Sequence, residues 1–535
     1  MNKIKEAYLF LPILAVALLG SFLFSCDDNT ENKNIYISKT YNDSIVYPGF
    51  VHLTDKGFAI DDSAFYPLML NYVVDFRTID GEFVVSPAKY YENIGEFESN
   101  TKEEIYSQMS AHFELISEMG FNTIRVCFDR IGQIDSTRYA YFTTDRKYYV
   151  DNDCDEILDG LSGMLKIAEQ NNLRVMLLIK PPFDESLKIF TQKMLKRFSD
   201  NPTLFAYDFM NEPLYFDSAE HREKLDAVNI VTSWKKLRDE YAPKQLFTIG
   251  FSEPIEVLEW DASILPVDFV QIHTYHPLRV KNEIYWYSRY IGKPWMIGET
   301  ALPADNDSIT YDDQRSFMKE AYEYVRDCGG AGFGWWEFQE CVNTHFEAKY
   351  TGLMNHEGIT KTISGKEIVG TLKPAVMEIS KFSTYTPKSP SRPVNYYNMI
   401  GYENIIVKGK ILDKATQKPI EGAVIRGWCA NWIGMNTYSD ENGDFTLYCN
   451  APVVHFEISA CGMSNVKFDQ ELQYNNISGI NYILTDLPNK NLEYHKISYH
   501  PFLKGNATGV FDFDAEKFGR YKFMADMGNI MLEKL

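Results

Sequence analysis

The sequence predicts an α/β fold: a (β/α)₈ TIM barrel followed by a small C-terminal antiparallel β-sandwich. Three observations carry that expectation. Short apolar runs recur between residues 64 and 337, separated by stretches of helical periodicity. One of them, L-F-A-Y-D-F-M-N-E-P over 204–213, has the length and aromatic content of a buried strand and is stopped by Asn211, Glu212 and Pro213. Past a Ser- and Pro-rich segment the pattern changes to short alternating strands broken by Lys-Pro and Asn-Gly turns.

The N-terminus reads as an address. Lys3 and Lys5 precede an apolar run over 8–24 that ends in L-F-S-C at Cys26, the layout of an export signal. A membrane anchor is the alternative, because the run is near the lower length of a span. Ser25-Cys26 resembles a bacterial lipobox, which implies that Cys26 carries a lipid and becomes the mature N-terminus. With Asp27, Asp28 and Glu31 after it, the segment resembles the surface-export signals of Bacteroidetes lipoproteins, which implies an outer-membrane or cell-surface location. A polar tether is expected over 27–44.

Composition bounds the remainder. At 535 residues one large and one small domain are expected, and 45% hydrophobic residues suffice for a sizeable core. A net charge of −21 argues against nucleic acid, whose binders carry basic patches. Aromatic residues reach 15%, with 35 Tyr and 35 Phe, a surplus that suits stacking on flat ligands. The seven cysteines after Cys26 lack metal-ligand spacing, and no disulfide framework is expected. No phosphate loop or dinucleotide fingerprint is present, so no cofactor is expected.

The predicted strands follow in order. Strand one covers 64–72, a long polar segment fills 73–100, and a helix runs from Thr101 to Met119, ended by Gly120. Strand two covers 122–129, a helix 157–170, strand three 173–180 and strand four begins at Leu204. Strands five to eight cover 245–252, 269–275, 295–299 and 331–337, with a helix over 314–327 and helical patterns in the other gaps. An open doubly wound sheet is the alternative arrangement.

A barrel of this kind places its chemistry at the C-terminal ends of the strands. Glu212 ends strand four there, and in P-W-M-I-G-E-T Glu299 ends strand seven, so both face one mouth. Two carboxylates facing one cleft are the minimum apparatus for glycoside hydrolysis, one protonated as acid and the other ionised. Across the cleft from a negative Glu299, Glu212 is expected to hold its proton to a higher pH than usual. Arg125, inside the apolar strand two, has to be paired; Glu299 is a candidate partner, and a structural ion pair elsewhere in the barrel is the alternative.

Asn-Glu-Pro ending strand four and a Glu ending strand seven resemble clan A glycoside hydrolases, most of all family 5, the cellulase and mannanase family. The resemblance covers residues 45–385. It implies a retaining β-glycoside hydrolase acting on a β-linked glycan, with Glu212 as acid/base, Glu299 as nucleophile and the carboxyls roughly 5–5.5 Å apart. It further implies that Asn211 holds the sugar 2-hydroxyl and that Arg125 steadies the nucleophile. His273 and Tyr275, in I-H-T-Y-H-P, match the family's H-x-Y, the histidine orienting the acid/base and the tyrosine bonding the nucleophile. Trp336, in G-F-G-W-W-E-F, would form a sugar platform, and strand alternation sends Trp335 to the other face. The chain departs from the family at strand one, which reads Leu70-Asn71-Tyr72, and after strand three, where Lys180-Pro181-Pro182 stands in place of a histidine.

A linker is expected over 386–401 and the sandwich over 402–485, whose motifs resemble carboxypeptidase-regulatory-like, transthyretin-like domains. The run Asp440-Glu441-Asn442-Gly443-Asp444 reads as a hairpin turn; as a calcium loop it would lack the distal bidentate glutamate. No metal is expected in the chain, and residues 486–535 are left unassigned.

Overall fold

The computed structural model describes residues 46–88, 99–127, 130–143, 146–219, 221–275, 279–304, 309–341, 350–393, 405–428, 434–449, 455–468, 481–486 and 521–535. The signal and tether expected over 1–44, Cys26 included, lie outside them, as does the linker beyond 393.

The central sheet has eight parallel strands. Strand one is Leu68–Ile79, two Thr123–Cys127, three Arg174–Leu178 and four Leu204–Asn211. Strand five is Leu246–Phe251, six Val270–His273, seven Trp295–Glu299 and eight Phe333–Trp335. Their hydrogen-bonded order is seven-six-five-four-three-two-one-eight. At the two ends of that order, the N–H groups of Ala331 and Ile297 donate to the carbonyls of Trp295 (2.8 Å) and Gly332 (3.2 Å).

Helices Lys102–Glu118, Cys154–Gln170, Glu185–Phe198 and Lys224–Tyr241 follow strands one to four, and Val280–Tyr290 and Tyr311–Asp327 follow six and seven. The first is started by Thr101 in a capping box with Glu104, which satisfies two otherwise orphaned backbone donors.

Two expectations about the connections of this sheet need correction. Strand one does not give way to a polar stretch at Val73. It runs to Ile79, turns at Asp80 and Gly81 (both at positive φ) and returns as Glu82–Pro87. This hairpin buries Phe76, Phe83, Val84 and Val85, so the segment is driven by burial that its flanking charges obscure in the sequence. After strand five there is only the 3₁₀ turn Pro254–Leu258 in place of a helix. C-terminal residues pack there instead, with Gly462 N–H donating to Asp261 (2.7 Å) and Asn465 Nδ2 donating to Leu258 O (2.5 Å).

One end of the sheet is plugged. The antiparallel strands Val51–Thr54, Gly57–Ile60 and Ser63–Phe65 bring Val51, Leu53 and Phe58 onto Met69, Met176, Phe205, Phe269 and Met296. Met69, Phe205 and Met296 are second in their strands and Phe269 just precedes strand six, while Met176 is the middle residue of strand three. Phe58 stands edge-on to Phe205 and Phe269, with ring centres 5.2 and 5.1 Å away. The strands' C-terminal ends, at the opposite side, carry the polar residues described below.

The C-terminal region forms two four-stranded sheets. One is ordered Asp444–Cys449, Ile405–Asp413, Tyr521–Leu532, Asn481–Asp486; the other is ordered Gly434–Tyr438, Val424–Trp428, His455–Ser459, Val466–Phe468. Val407, Ile411, Leu447 and Ile530 of the first share an apolar cluster with Ile425, Phe456 and Ile458 of the second. Ile405–Asp413 pairs parallel to Tyr521–Leu532, so the first sheet is mixed where an antiparallel one was expected. That pairing also gives a place to a strand from the stretch left unassigned.

Candidate active site

Arg125 is the hub of the site. It is 1% exposed at the middle of strand two, and a buried guanidinium must be paired on every side. Its Nε donates to Asp208 Oδ2 (2.9 Å), one terminal nitrogen to Asn71 Oδ1 (3.0 Å) and to Glu299 Oε1, and the other to Asn211 Oδ1 (2.8 Å). Strands one, two, four and seven thus converge on one cation. Simple alternation would send Asp208 and Asn211 to opposite faces. A register shift against strand five falls between those two residues and lets both reach the arginine.

The Tyr275 hydroxyl donates to the second oxygen of Glu299. Burial and the Glu299 carboxylate push this phenol well above its ordinary range, which keeps it a donor. Both oxygens of Glu299 therefore have a donor, one charged and one neutral.

Glu212 sits in the left-handed region, at φ 40° and ψ 74°, a conformation that costs a residue with a side chain on the order of 1–3 kcal/mol. Its N–H donates to Gly250 O (2.8 Å), and its own carbonyl accepts from Tyr215 N (2.9 Å) and Phe216 N (3.0 Å). These bonds hold the strained turn and swing the carboxyl towards Glu299. Its Oε1 lies 2.8 Å from His273 Nδ1, and that nitrogen is 3.6 Å from Glu299 Oε1. Burial holds the imidazole far down, at about 3, so His273 is neutral. Burial raises Glu212 to about 7, Arg125 opposes, and Glu253 adds to the rise. The direction is the expected one, but the expected cause, Glu299, is replaced by desolvation and by Glu253.

Two glycines make room for the imidazole. A Cβ at Gly250 would lie 2.7 Å from His273 Nε2, and one at Gly298 would lie 2.9 Å from the same atom and 2.4 Å from Gln271 Oε1.

The structure thus brings together Glu212, Glu299, Asn211, Arg125, His273 and Tyr275. The backbone of Trp336 is tied to the residue after Glu299: its main-chain N–H donates to Thr300 O (3.0 Å), and its peptide with Glu337 is cis. It is half-buried, whereas Trp335 is fully buried with its indole N–H on Thr351 O (3.0 Å).

Four further groups escaped sequence reasoning. Asp208 and Asn71 complete the ring around Arg125, and burial raises Asp208 to about 6 against the pull of Arg125. Glu253 accepts from Tyr215 OH and Arg279, both at 3.0 Å. Glu256 accepts the N–H groups of Leu214 (2.8 Å) and Ser252 (2.9 Å), fixing the loop behind Glu212. Asp208 was detectable, because an acid inside the apolar run 204–210 needs a partner as much as Arg125 does. Glu256, flanked by Ile255, Val257 and Leu258, was detectable by the same rule, whereas Glu253, next to Ser252 and Pro254, gives no signal.

Ligand atoms of Glu212, His273 and Glu299 lie within 4.8 Å of one another, a spacing that could hold a metal ion. Arg125 on Glu299 already supplies the positive charge an ion would bring.

No protein family matches the chain, and no curated protein does. Solved structures similar to it include the endo-1,4-β-mannanase of Rhizomucor miehei, 13% identical over 62% of this chain and 99% of that one, with a TM-score of 0.43. An exo-β-1,4-mannosidase from Opitutaceae bacterium strain TAV5 is 14% identical over 63% of this chain and 61% of that one, with a TM-score of 0.42. A β-glucuronidase of Bacteroides uniformis is 10% identical over 79% of this chain and 47% of that one, with a TM-score of 0.41.

Proposed function

We propose that the protein is a retaining β-glycoside hydrolase of the clan A type, its eight strands closing as a (β/α)₈ barrel, acting on a β-linked oligo- or polysaccharide. One observation carries the reading: Glu212 and Glu299, at the C-terminal ends of parallel strands, present carboxylate oxygens within 4.8 Å of one another. Retaining enzymes hold their carboxyls roughly 5–5.5 Å apart, and inverting ones leave room for a water between them.

In the first step a Glu299 oxygen attacks the anomeric carbon while Glu212 gives its proton to the departing glycosidic oxygen. A covalent glycosyl ester on Glu299 and a free leaving-group alcohol result. In the second, Glu212, now a carboxylate, takes a proton from a water whose oxygen attacks the same carbon, and Glu299 leaves. A group raised to about 7 keeps its proton for the first step and can recover it in the second. Neutral His273, able to donate from Nδ1 to one Glu212 oxygen, leaves the other oxygen to carry the transferred proton. Arg125 and Tyr275 hold Glu299 in line, and Asn211, itself held by Arg125, is placed for the sugar 2-hydroxyl. Trp336 supplies a stacking face for the sugar.

Incubation with an activated 2-deoxy-2-fluoro glycoside should leave a stable ester on Glu299, read by peptide mass spectrometry. Turnover with inverted configuration would overturn the retaining reading, and glycan binding with no turnover would mark a binding protein on the same scaffold. We also propose that the protein is exported and anchored at the bacterial surface through lipidated Cys26, as the L-F-S-C run implies. Cys26→Ala should release it from the membrane fraction; a variant that still sediments with membranes would mean that the apolar run anchors it.

A further inference from the structure

The exposed phenyl rings are unevenly placed. Among the described residues, Phe142, Phe183 and Phe216 are the exposed phenylalanines, at 48, 44 and 63%. All three lie in the connections that leave the C-terminal ends of strands two, three and four. Single exposed apolar side chains need no explanation; three phenyl rings in consecutive connections at the end of the sheet that holds the site do.

Phe216 lies one helical turn beyond Glu212 and is tied to it by Phe216 N–H donating to Glu212 O (3.0 Å). The next residue, Asp217, grips Arg222 through two bonds of 2.7 and 2.8 Å. The Arg222 guanidinium lies 5.9 Å from the Phe183 ring centre. Phe183 is braced from below by Trp234, edge-on with ring centres 5.2 Å apart. The Phe183 ring is therefore held rather than loose, and the ion pair ties its loop to the residue that follows Phe216. Phe142 differs: its ring packs on Gly132 of its own small sheet and is covered by Lys147, 5.2 Å from the ring centre.

We propose that Phe216 and Phe183 form a stacking platform for the sugars on the leaving-group side of the scissile bond. The inference rests on the hydrolase reading above and extends it to a substrate class. Glu212 hands its proton to the leaving oxygen, so the leaving sugar must lie beside it, and Phe216 is the nearest exposed ring in sequence. Phe183, on the loop of the adjoining strand, continues the track outward. A pyranose presents C–H groups on its flat face, which bury well against a phenyl ring. Two rings in succession suit a chain that continues past the leaving sugar. The substrate class is accordingly an oligo- or polysaccharide cut within the chain, rather than a glycoside of a small aglycone.

The test compares the full-length protein with Phe216→Ala, Phe183→Ala and Phe216→Trp on two kinds of substrate. One kind is a graded series of manno- and cello-oligosaccharides; the other is the p-nitrophenyl monosaccharide glycosides. Each truncation should lower kcat/KM on the longer oligosaccharides about tenfold, roughly the effect of one buried aromatic contact. The loss should grow with chain length and be small on the aryl glycoside. Phe216→Trp should restore the oligosaccharide rate, and Phe142→Ala should leave both substrates unaffected. Equal losses on both substrates would show that Phe216 acts through Glu212, and no loss on either would show bare rings; each overturns the platform while leaving the hydrolase reading standing. A wild-type protein inactive on every glycoside would sink the hydrolase reading and the platform with it.

Discussion

Glu212 concentrates the residue-scale chemistry: a strained backbone, a largely buried carboxyl and a neutral histidine partner meet in one side chain. In the proposed mechanism Glu212 acts in its acid form, which is lost near pH 7, so kcat/KM should fall as pH rises through about 7. Glu212→Gln should abolish that limb. It should also keep far more activity on an activated aryl glycoside than on the natural glycan, with azide rescuing the second step. Equal loss on both substrates without azide rescue would refute the acid/base assignment. Stability should respond as well. A folded-state value raised above the ordinary 4.5 contributes stability that is complete below 4.5 and lost as pH rises through about 7. The Tm of Glu212→Gln minus that of the wild type should therefore increase between pH 4.5 and 7 and level off above. A difference that is flat with pH would mean that the carboxyl is solvated.

Individual elements convert strand periodicity into a site by breaking it. Register shifts in strands four and six, against strands five and seven, bring Asp208 together with Asn211 and His273 alongside Glu299. Gly298 in strand seven is the tightest of these fittings. Gly298→Ala would press on His273 and Gln271 without touching the carboxylates. A displacement of about 1 Å in such a site costs about 10²-fold in rate. The expected outcome is a loss of that order in kcat with the fold retained, read by activity and circular dichroism; full activity would show that His273 has room to yield. Asp208→Asn should weaken the grip on Arg125 and lower kcat more than it raises KM, because Arg125 itself holds Glu299 rather than the sugar.

At the scale of the whole molecule the C-terminal sheets are packed into the eight-stranded part of the chain rather than carried as a passenger. Val424 belongs to the same apolar cluster as the sheet and helices around the site. Trp286 donates its indole N–H to Gly422 O (2.8 Å). Lys224, 3% exposed, donates to Asp261 (3.0 Å) and to Ala460 O (3.0 Å) across the boundary. Asp261→Ala would strand that buried ammonium, which costs about 3–5 kcal/mol where a buried pair is broken. Calorimetry should show one unfolding transition for both parts and a Tm lowered by the substitution. Two separate transitions would mean that the parts fold independently.

The strands, the two glutamates at their ends and the paired arginine were legible because each rests on a local rule. Apolar periodicity marks a strand, a proline stops it, and a charge within it demands a partner. The sequence therefore determined which residues had to meet water or a counter-charge at the mouth, and on which strands. It could not determine the partners, since Arg125 reaches Asn71 and Asp208 only where four strands converge. Nor could it foresee that burial and Glu253, rather than Glu299, raise Glu212. The replacement of a helix after strand five by C-terminal strands was equally hidden, as was the inclusion of Tyr521–Leu532 in their sheet. Desolvation, register and long-range pairing depend on which distant segments become neighbours, and that is decided only when the whole chain packs.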